Sequence, residues 1–194
     1  MDKKILKVNI SVEFAKKKQK QGDLVKAGEI YKDLINKKIY TYDLLVSYGL
    51  FNMEIKNNLL AKKLFILSIK KYPGFTKPYI LLAEIFSLEN NFKEALKVLL
   101  TAQKIINNNS DIKYNLSVLY KKMGRFEEAL VSINEAVKFS TNIDVYQILK
   151  SDILIDMNEN EKAKKLLLSL NIRKKTNLHF QREILISKTY SNQK

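Results

Sequence analysis

The sequence predicts an all-α fold: five helix–turn–helix units of 34 residues stacked in one array, followed by a C-terminal capping helix. Three observations predict it. Five alanines, Ala27, Ala61, Ala95, Ala129 and Ala163, recur every 34 residues, and a fixed period of this size marks one supersecondary unit repeated along a chain. Around each alanine, apolar residues recur at helical spacing, as Leu24, Ile30, Tyr31 and Leu34 do around Ala27. Neither sustained period-two runs nor hairpin turn dipeptides suggest strands.

Each element follows in order. Residues 1–7 are expected to be a short lead-in, and a first helix is predicted over residues 8–21 from Val8, Ile10, Phe14 and Ala15. Gly22 suits a left-handed turn, and a second helix follows over 23–36. Thr41 is the candidate N-cap of the next unit, with helices over 42–55 and 58–71 ended by Tyr72-Pro73-Gly74. Thr76 is the candidate cap of the third unit (helices 77–89 and 92–106), and Ser110 or Asp111 that of the fourth (111–123 and 126–139, split by Gly124). The fifth unit has helices over 144–157 and 160–170, split by Asn158. The units therefore span 8–41, 42–75, 76–109, 110–143 and 144–177. A capping helix over 178–190 would use Leu178, Ile184, Leu185 and Tyr190 to cover the last unit, and 191–194 form a frayed tail. With no low-complexity linker between units, the array reads as one domain.

Composition narrows the function classes. There is no cysteine, so disulfides and thiolate metal sites are excluded. The N-terminus has no apolar run of signal-peptide length, and no stretch approaches a membrane span. The expectation is a soluble, cytoplasmic protein. The net charge of +15 raises nucleic-acid binding, yet only Arg125, Arg173 and Arg182 among 35 basic residues are arginine. Lysine lacks the bidentate fork that reads phosphates and guanine, so solvated helix faces explain the charge better. The densest basic cluster, Lys16, Lys17, Lys18 and Lys20, is read the same way, with an anionic partner as the alternative.

The repeat is similar to the tetratricopeptide repeat family across residues 8–190. The small residue at the eighth place of each unit is Ala15, Gly49, Ala83, Ser117 and Ser151; the twentieth is the alanine series. The twenty-fourth is Tyr31, Phe65, Leu99, Ile133 and Leu167, and the segment Gly124-Arg125-Phe126-Glu127-Glu128-Ala129-Leu130 is the closest match to the family pattern. The departures are Leu34 and Leu170 at a usually small place, and a proline matched only by Pro73. The resemblance implies a right-handed α-solenoid in which the alanines and the eighth-place residues pack the helix crossings and carry no chemistry.

It also implies a concave groove lined by the first helix of each unit. Carried over, the groove residues are Val12, Val46, Leu50, Met53, Ile80, Glu84, Tyr114, Val118, Ile148 and Asp152, a row with an apolar middle. The family's basic carboxylate clamp would need a set of basic residues and asparagine where this chain has Val12, Lys16, Ser47, Lys77 and Leu81. That clamp is rejected, and a groove for an apolar or amphipathic protein segment is expected instead.

Catalysis has no footing. The single histidine, His179, has no evident nucleophile partner, and no nucleotide-binding, serine-hydrolase or zinc-protease motif occurs. The run from Asp156 to Asn160 begins like a calcium loop but has Glu161 and Leu167 where Gly and Glu are needed. No cofactor and no metal are expected. The leading expectation is a non-enzymatic adaptor for a protein partner, not a membrane. The alternatives are a scaffolding arm for a separate transferase or oxygenase, and nucleic-acid binding through lysine-rich faces. Self-association is compatible with open array ends.

Overall fold

In the computed structural model, residues 3–139, 143–172 and 176–191 are described, and they form eleven α-helices and no strand. The helices are α1 (Lys3–Lys20), α2 (Leu24–Asn36), α3 (Tyr42–Glu54), α4 (Asn58–Lys71), α5 (Thr76–Leu88), α6 (Phe92–Ile105), α7 (Ser110–Lys122), α8 (Phe126–Lys138), α9 (Ile143–Asp156), α10 (Asn160–Ser169) and α11 (Asn177–Ser191). Helix α1 starts at Lys3, so residues 3–7, expected as a lead-in, are helical; nothing in Lys3–Lys7 breaks a helix, and the straight-chain lysines and Leu6 favour one. Of the tail expected at 191–194, Ser191 is the last residue of α11 and 192–194 lie outside the described residues, as do Met1 and Asp2.

The turn between the two helices of each repeat is built the same way five times. Gly22, Lys56, Asn90, Gly124 and Asn158 are all left-handed, with φ from 58° to 81°, and lie 34 residues apart. The residue after each donates its N–H back across the turn: Asp23 to Lys18 O, Asn57 to Asn52 O, Asn91 to Phe86 O, Arg125 to Tyr120 O and Glu159 to Leu154 O, at 2.7–3.0 Å. This six-to-one bond closes a Schellman cap, which satisfies carbonyls the helix end would otherwise leave unpaired.

Side-chain caps start the following helices. Asp23, Thr41, Asn57 and Asn109 accept from the N–H of Lys26, Leu44, Leu60 and Ile112 at 3.0–3.3 Å. Thus Thr41 caps α3 as expected. In α7 the cap is Asn109, one residue before the predicted Ser110, because any of three adjacent polar residues could cap and the backbone selects the extended one. Thr76 is the first helical residue of α5, preceded by Phe75.

The chain divides into two compact units, one through Asn91 and one from Phe92. In the first, α1/α2 and α3/α4 pack as pairs, α3 packs on both helices of the preceding pair, and α5 packs on α4. Its core joins Val8, Val12, Ala15, Ala27, Tyr31, Leu34, Leu44, Leu45, Tyr48, Phe51 and Leu64. In the second, α7/α8 and α9/α10 are the pairs, α9 packs on α8, and α11 packs on both α9 and α10. All five alanines of the series are 0% exposed, as are Ala15, Ser117 and Ser151. Burying so small a side chain completely lets two backbones approach closely, which is why the period is carried by alanine rather than leucine.

Helix α11 covers the last pair with Leu178, Leu185 and Ile186. Ile184 and Tyr190, expected in that cover, are more than half exposed. The inward positions of α11 run through Leu185 and Thr189, one residue on from Ile184, which turns Ile184 away from the core.

Candidate interaction surface on the first helices

Four of the ten residues assigned to the groove line hollows, one hollow in each unit: Leu50 in the first, and Tyr114, Ile148 and Asp152 in the second. In the first unit, Leu50 lines a hollow of about 330 Å³ with Lys16, Gln19, Lys20, Tyr31, Ser47 and Glu54. All its lining residues but Leu50 carry a polar group, and most of these groups are paired within the unit. Lys16 Nζ contacts Asp43 Oδ1 at 2.6 Å and Glu13 Oε1 at 2.7 Å, and Ser47 Oγ donates to the same Asp43 oxygen at 3.2 Å. Burial alone would lower the Lys16 pKa, but the hydrogen bonds to Asp43 and Glu13 outweigh it and raise the value. Gln19 donates to Glu54, and Tyr31 donates to Gln19 Oε1 at 3.4 Å. Burial pushes the Tyr31 hydroxyl well above the ordinary phenol range.

Val12 and Val46 belong to the interior, not to an open wall: Val12 is fully buried in the first core and Val46 is 4% exposed. Val12 joins the core shared by α1, α2 and α3, so its apolar character is explained by packing. Met53, Ile80 and Val118 are half-buried, and Glu84 is exposed. The clamp places are equally unsuited to gripping a carboxylate. Leu81 and Ser47 are buried, and the Lys16 charge is neutralised within the first unit.

In the second unit Tyr114 from α7, Ile148 and Asp152 from α9, and the α11 face come together. They line a hollow of about 300 Å³ with Val145, Leu149, Gln181, Ile184, Leu185 and Lys188. Its walls are chiefly aliphatic. Tyr114 stacks on Tyr146 with centroids 5.0 Å apart, and the Tyr146 hydroxyl donates to Asp111 Oδ1 at 3.1 Å. Burial first, and Tyr146 second, raise the Tyr114 pKa. The one carboxylate in the wall, Asp152, is offset by Lys121 at 3.0 Å and Lys188 at 4.0 Å; Lys121 also holds Asp156 at 2.7 Å. A site whose ion pairs are closed internally offers an incoming segment apolar surface rather than net charge.

Reading the sequence missed that α11 forms a wall of this hollow. The signal was present: Leu185 lies 34 residues after Ser151, so α11 continues the series of first helices. Leucine can stand there because no second helix crosses it among the described residues. The histidine on this helix is structural in setting, with Nδ1 3.8 Å from Glu183 and its ring 5.9 Å from Phe180.

Comparison with known proteins agrees with this architecture. Residues 110–142 match the family profile of the tetratricopeptide repeat. No curated protein matches the sequence. Among solved structures, a thermophilic tetratricopeptide-repeat protein of Thermus thermophilus superposes with a TM-score of 0.73 at 12% identity, covering 93% of this chain and 99% of the other. MamA from Desulfovibrio magneticus gives 0.68 at 14% identity, covering 84% and 92%. A tetratricopeptide-repeat protein of Parabacteroides merdae gives 0.76 at 13% identity, covering 95% and 73%. Residues 110–142 are thus matched as a tetratricopeptide repeat, and the chain shares the α-solenoid fold of tetratricopeptide-repeat proteins.

Proposed function

We propose that the chain is a non-enzymatic scaffold that binds an amphipathic helical segment of a partner protein in the hollow between α7, α9 and α11. The observation that carries this reading is the composition of that hollow. Val145, Ile148, Leu149, Ile184 and Leu185 line it together with Tyr114, while Asp152 is matched by lysines. A helix presenting apolar side chains at i, i+3 and i+4 supplies the complementary surface. The hollow beside Leu50 in the first unit is no part of this site; most of the polar groups on its lining residues are paired within that unit.

Peptide selection tests the reading. A displayed library of random 15-residue segments (a length of about four helical turns) is panned on the protein, and the enriched peptides are rebound to Ile184→Asp. Ile184 is 57% exposed, so the change alters the wall without opening the core. Enrichment of amphipathic helical sequences that lose affinity for Ile184→Asp supports the proposal. Enrichment of acidic or extended sequences that ignore the substitution contradicts it.

A further inference from the structure

Two loops at one edge of the first unit share a chemistry that the packing of the repeat does not require. Lys37-Lys38-Ile39-Tyr40-Thr41-Tyr42 joins α2 to α3, and Lys70-Lys71-Tyr72-Pro73-Gly74-Phe75-Thr76-Lys77 runs from the end of α4 into α5. Together they hold five lysines, four aromatic rings and no acidic residue. The loops touch. The Tyr72 hydroxyl donates to Tyr40 O at 2.7 Å, and Lys71 Nζ stands 5.4 Å from the Tyr40 ring centroid. Tyr42 stacks on Phe75 with centroids 4.2 Å apart, and both rings meet Tyr72 edge-on at 5.9 and 6.2 Å.

The nearest carboxylates do not cancel the charge. Asp43 is held by Lys16 at 2.6 Å, and Asp33 pairs with Lys37 alone at 2.5 Å. Lys38, Lys70 and Lys77 make no ion pair among the described residues, and all three are exposed. Phe75 is 49% exposed, while Tyr40, Tyr42 and Tyr72 are half-buried. An aromatic stack with one half-exposed ring, on loops that carry three exposed lysines without an ion pair, is the combination that holds an unpaired base and its flanking phosphates. A bilayer would call for several apolar side chains at one depth, and Phe75 is the only exposed large apolar residue in these loops.

We propose that this edge binds single-stranded nucleic acid, with a base stacking on Phe75 and phosphates engaging Lys38, Lys70 and Lys77. This surface is separate from the hollow between α7, α9 and α11, and either assignment can fail without the other.

The chain has no tryptophan, so Phe75→Trp places a unique reporter in the stack. A mixed-sequence single-stranded 20-mer is titrated against this variant, with the equal-length duplex and phosphatidylcholine–phosphatidylserine vesicles as parallel titrants. The single strand is expected to quench the emission, more strongly than the duplex. With three phosphates engaged, affinity should fall about 20-fold between roughly 50 and 200 mM salt. In anisotropy measurements with the labelled strand, Phe75→Leu keeps apolar bulk without a ring and should bind about fivefold or more weakly than the parent protein. Lys70→Glu/Lys77→Glu should weaken binding far more than Lys162→Glu/Lys165→Glu, which makes the same charge change on α10. The proposal is overturned if the strand leaves the emission unchanged, if both charge swaps weaken binding equally, or if the reporter responds to vesicles and not to the strand.

Discussion

Gly49 on α3 packs directly against the Phe65 ring on α4: a β-carbon at Gly49 would lie 2.7 Å from Phe65 Cζ, 2.9 Å from Cδ1 and closer still to Cε1. The second repeat thus combines the smallest residue at its eighth place with the bulky Phe65, whereas the fourth and fifth combine serine with Ile133 and Leu167. Phe65 is fully buried and has no room to retreat. Gly49→Ala should therefore destabilise by about 1–3 kcal/mol despite alanine's better helix propensity. Phe65→Leu should recover part of that loss in the double variant. Urea unfolding of the four proteins reads the coupling; additive effects would contradict the contact.

A second crossing is tied by a hydrogen bond. Ser117 Oγ donates to Ala129 O at 2.8 Å, linking two residues of the 34-residue register. Ser117→Ala should cost about 1 kcal/mol, and Ala129→Leu about 1–3 kcal/mol by overpacking a site with 0% exposure. Thermal melts check both, and an unchanged Ala129→Leu would refute the register.

The five left-handed turns make opposite predictions at different positions. Lys56 has φ 59° without being glycine; the left-handed region costs a β-carbon residue roughly 1–2 kcal/mol. Lys56→Gly should stabilise the protein by up to about 1 kcal/mol after the entropic cost of glycine. Gly124→Ala, at φ 72° with open space around it, should destabilise by about 1 kcal/mol through backbone strain alone. Midpoints of urea unfolding would separate the two signs.

Stability should fall in alkali. The Tyr31, Tyr42, Tyr79 and Tyr114 hydroxyls are raised above the ordinary value of 10.0, chiefly because burial disfavours the phenolate. Lys16 and Lys121 are raised above 10.5; burial opposes this, and their bonds to Asp43 and Glu13, and to Asp156 and Asp152, prevail. For every one of these groups the unfolded chain releases its proton first. Their contribution is complete below about pH 10 and is lost as pH rises through the folded values. The urea midpoint should stay level from about pH 7 to 9 and drop above about 10; a midpoint that rises in that range would contradict the assignments.

The scaffold was readable because it is periodic. Ala27 to Ala163, Gly22 and Gly124 repeat one local solution, and repetition turns weak signals into a register. Helix boundaries followed to within a residue or two except at α1, where no breaker precedes Val8. What could not be read lies in competition between equivalent choices. Asn109 rather than Ser110 caps α7 because both can, and Lys56 turns left-handed because the repeat geometry overrides its preference. Val12 and Val46 are buried rather than set in an open groove, since period assigns a helix face but not how closely it is covered. The wall supplied by Ile184 and Lys188 was signalled only by the 34-residue step from Ser151 to Leu185, since no spacing within α11 declares how it docks.

The proposed interaction stands or falls with one comparison. Calorimetric titration of a panned amphipathic peptide is made against the parent protein, Ile184→Asp in the α7–α9–α11 hollow, and Leu168→Asp on the exposed face of α10. Both substitutions charge an aliphatic side chain that is about 60% exposed. The account predicts about tenfold or greater weakening, roughly 1.4 kcal/mol, for Ile184→Asp and unchanged affinity for Leu168→Asp. Equal affinities for the two variants would contradict it.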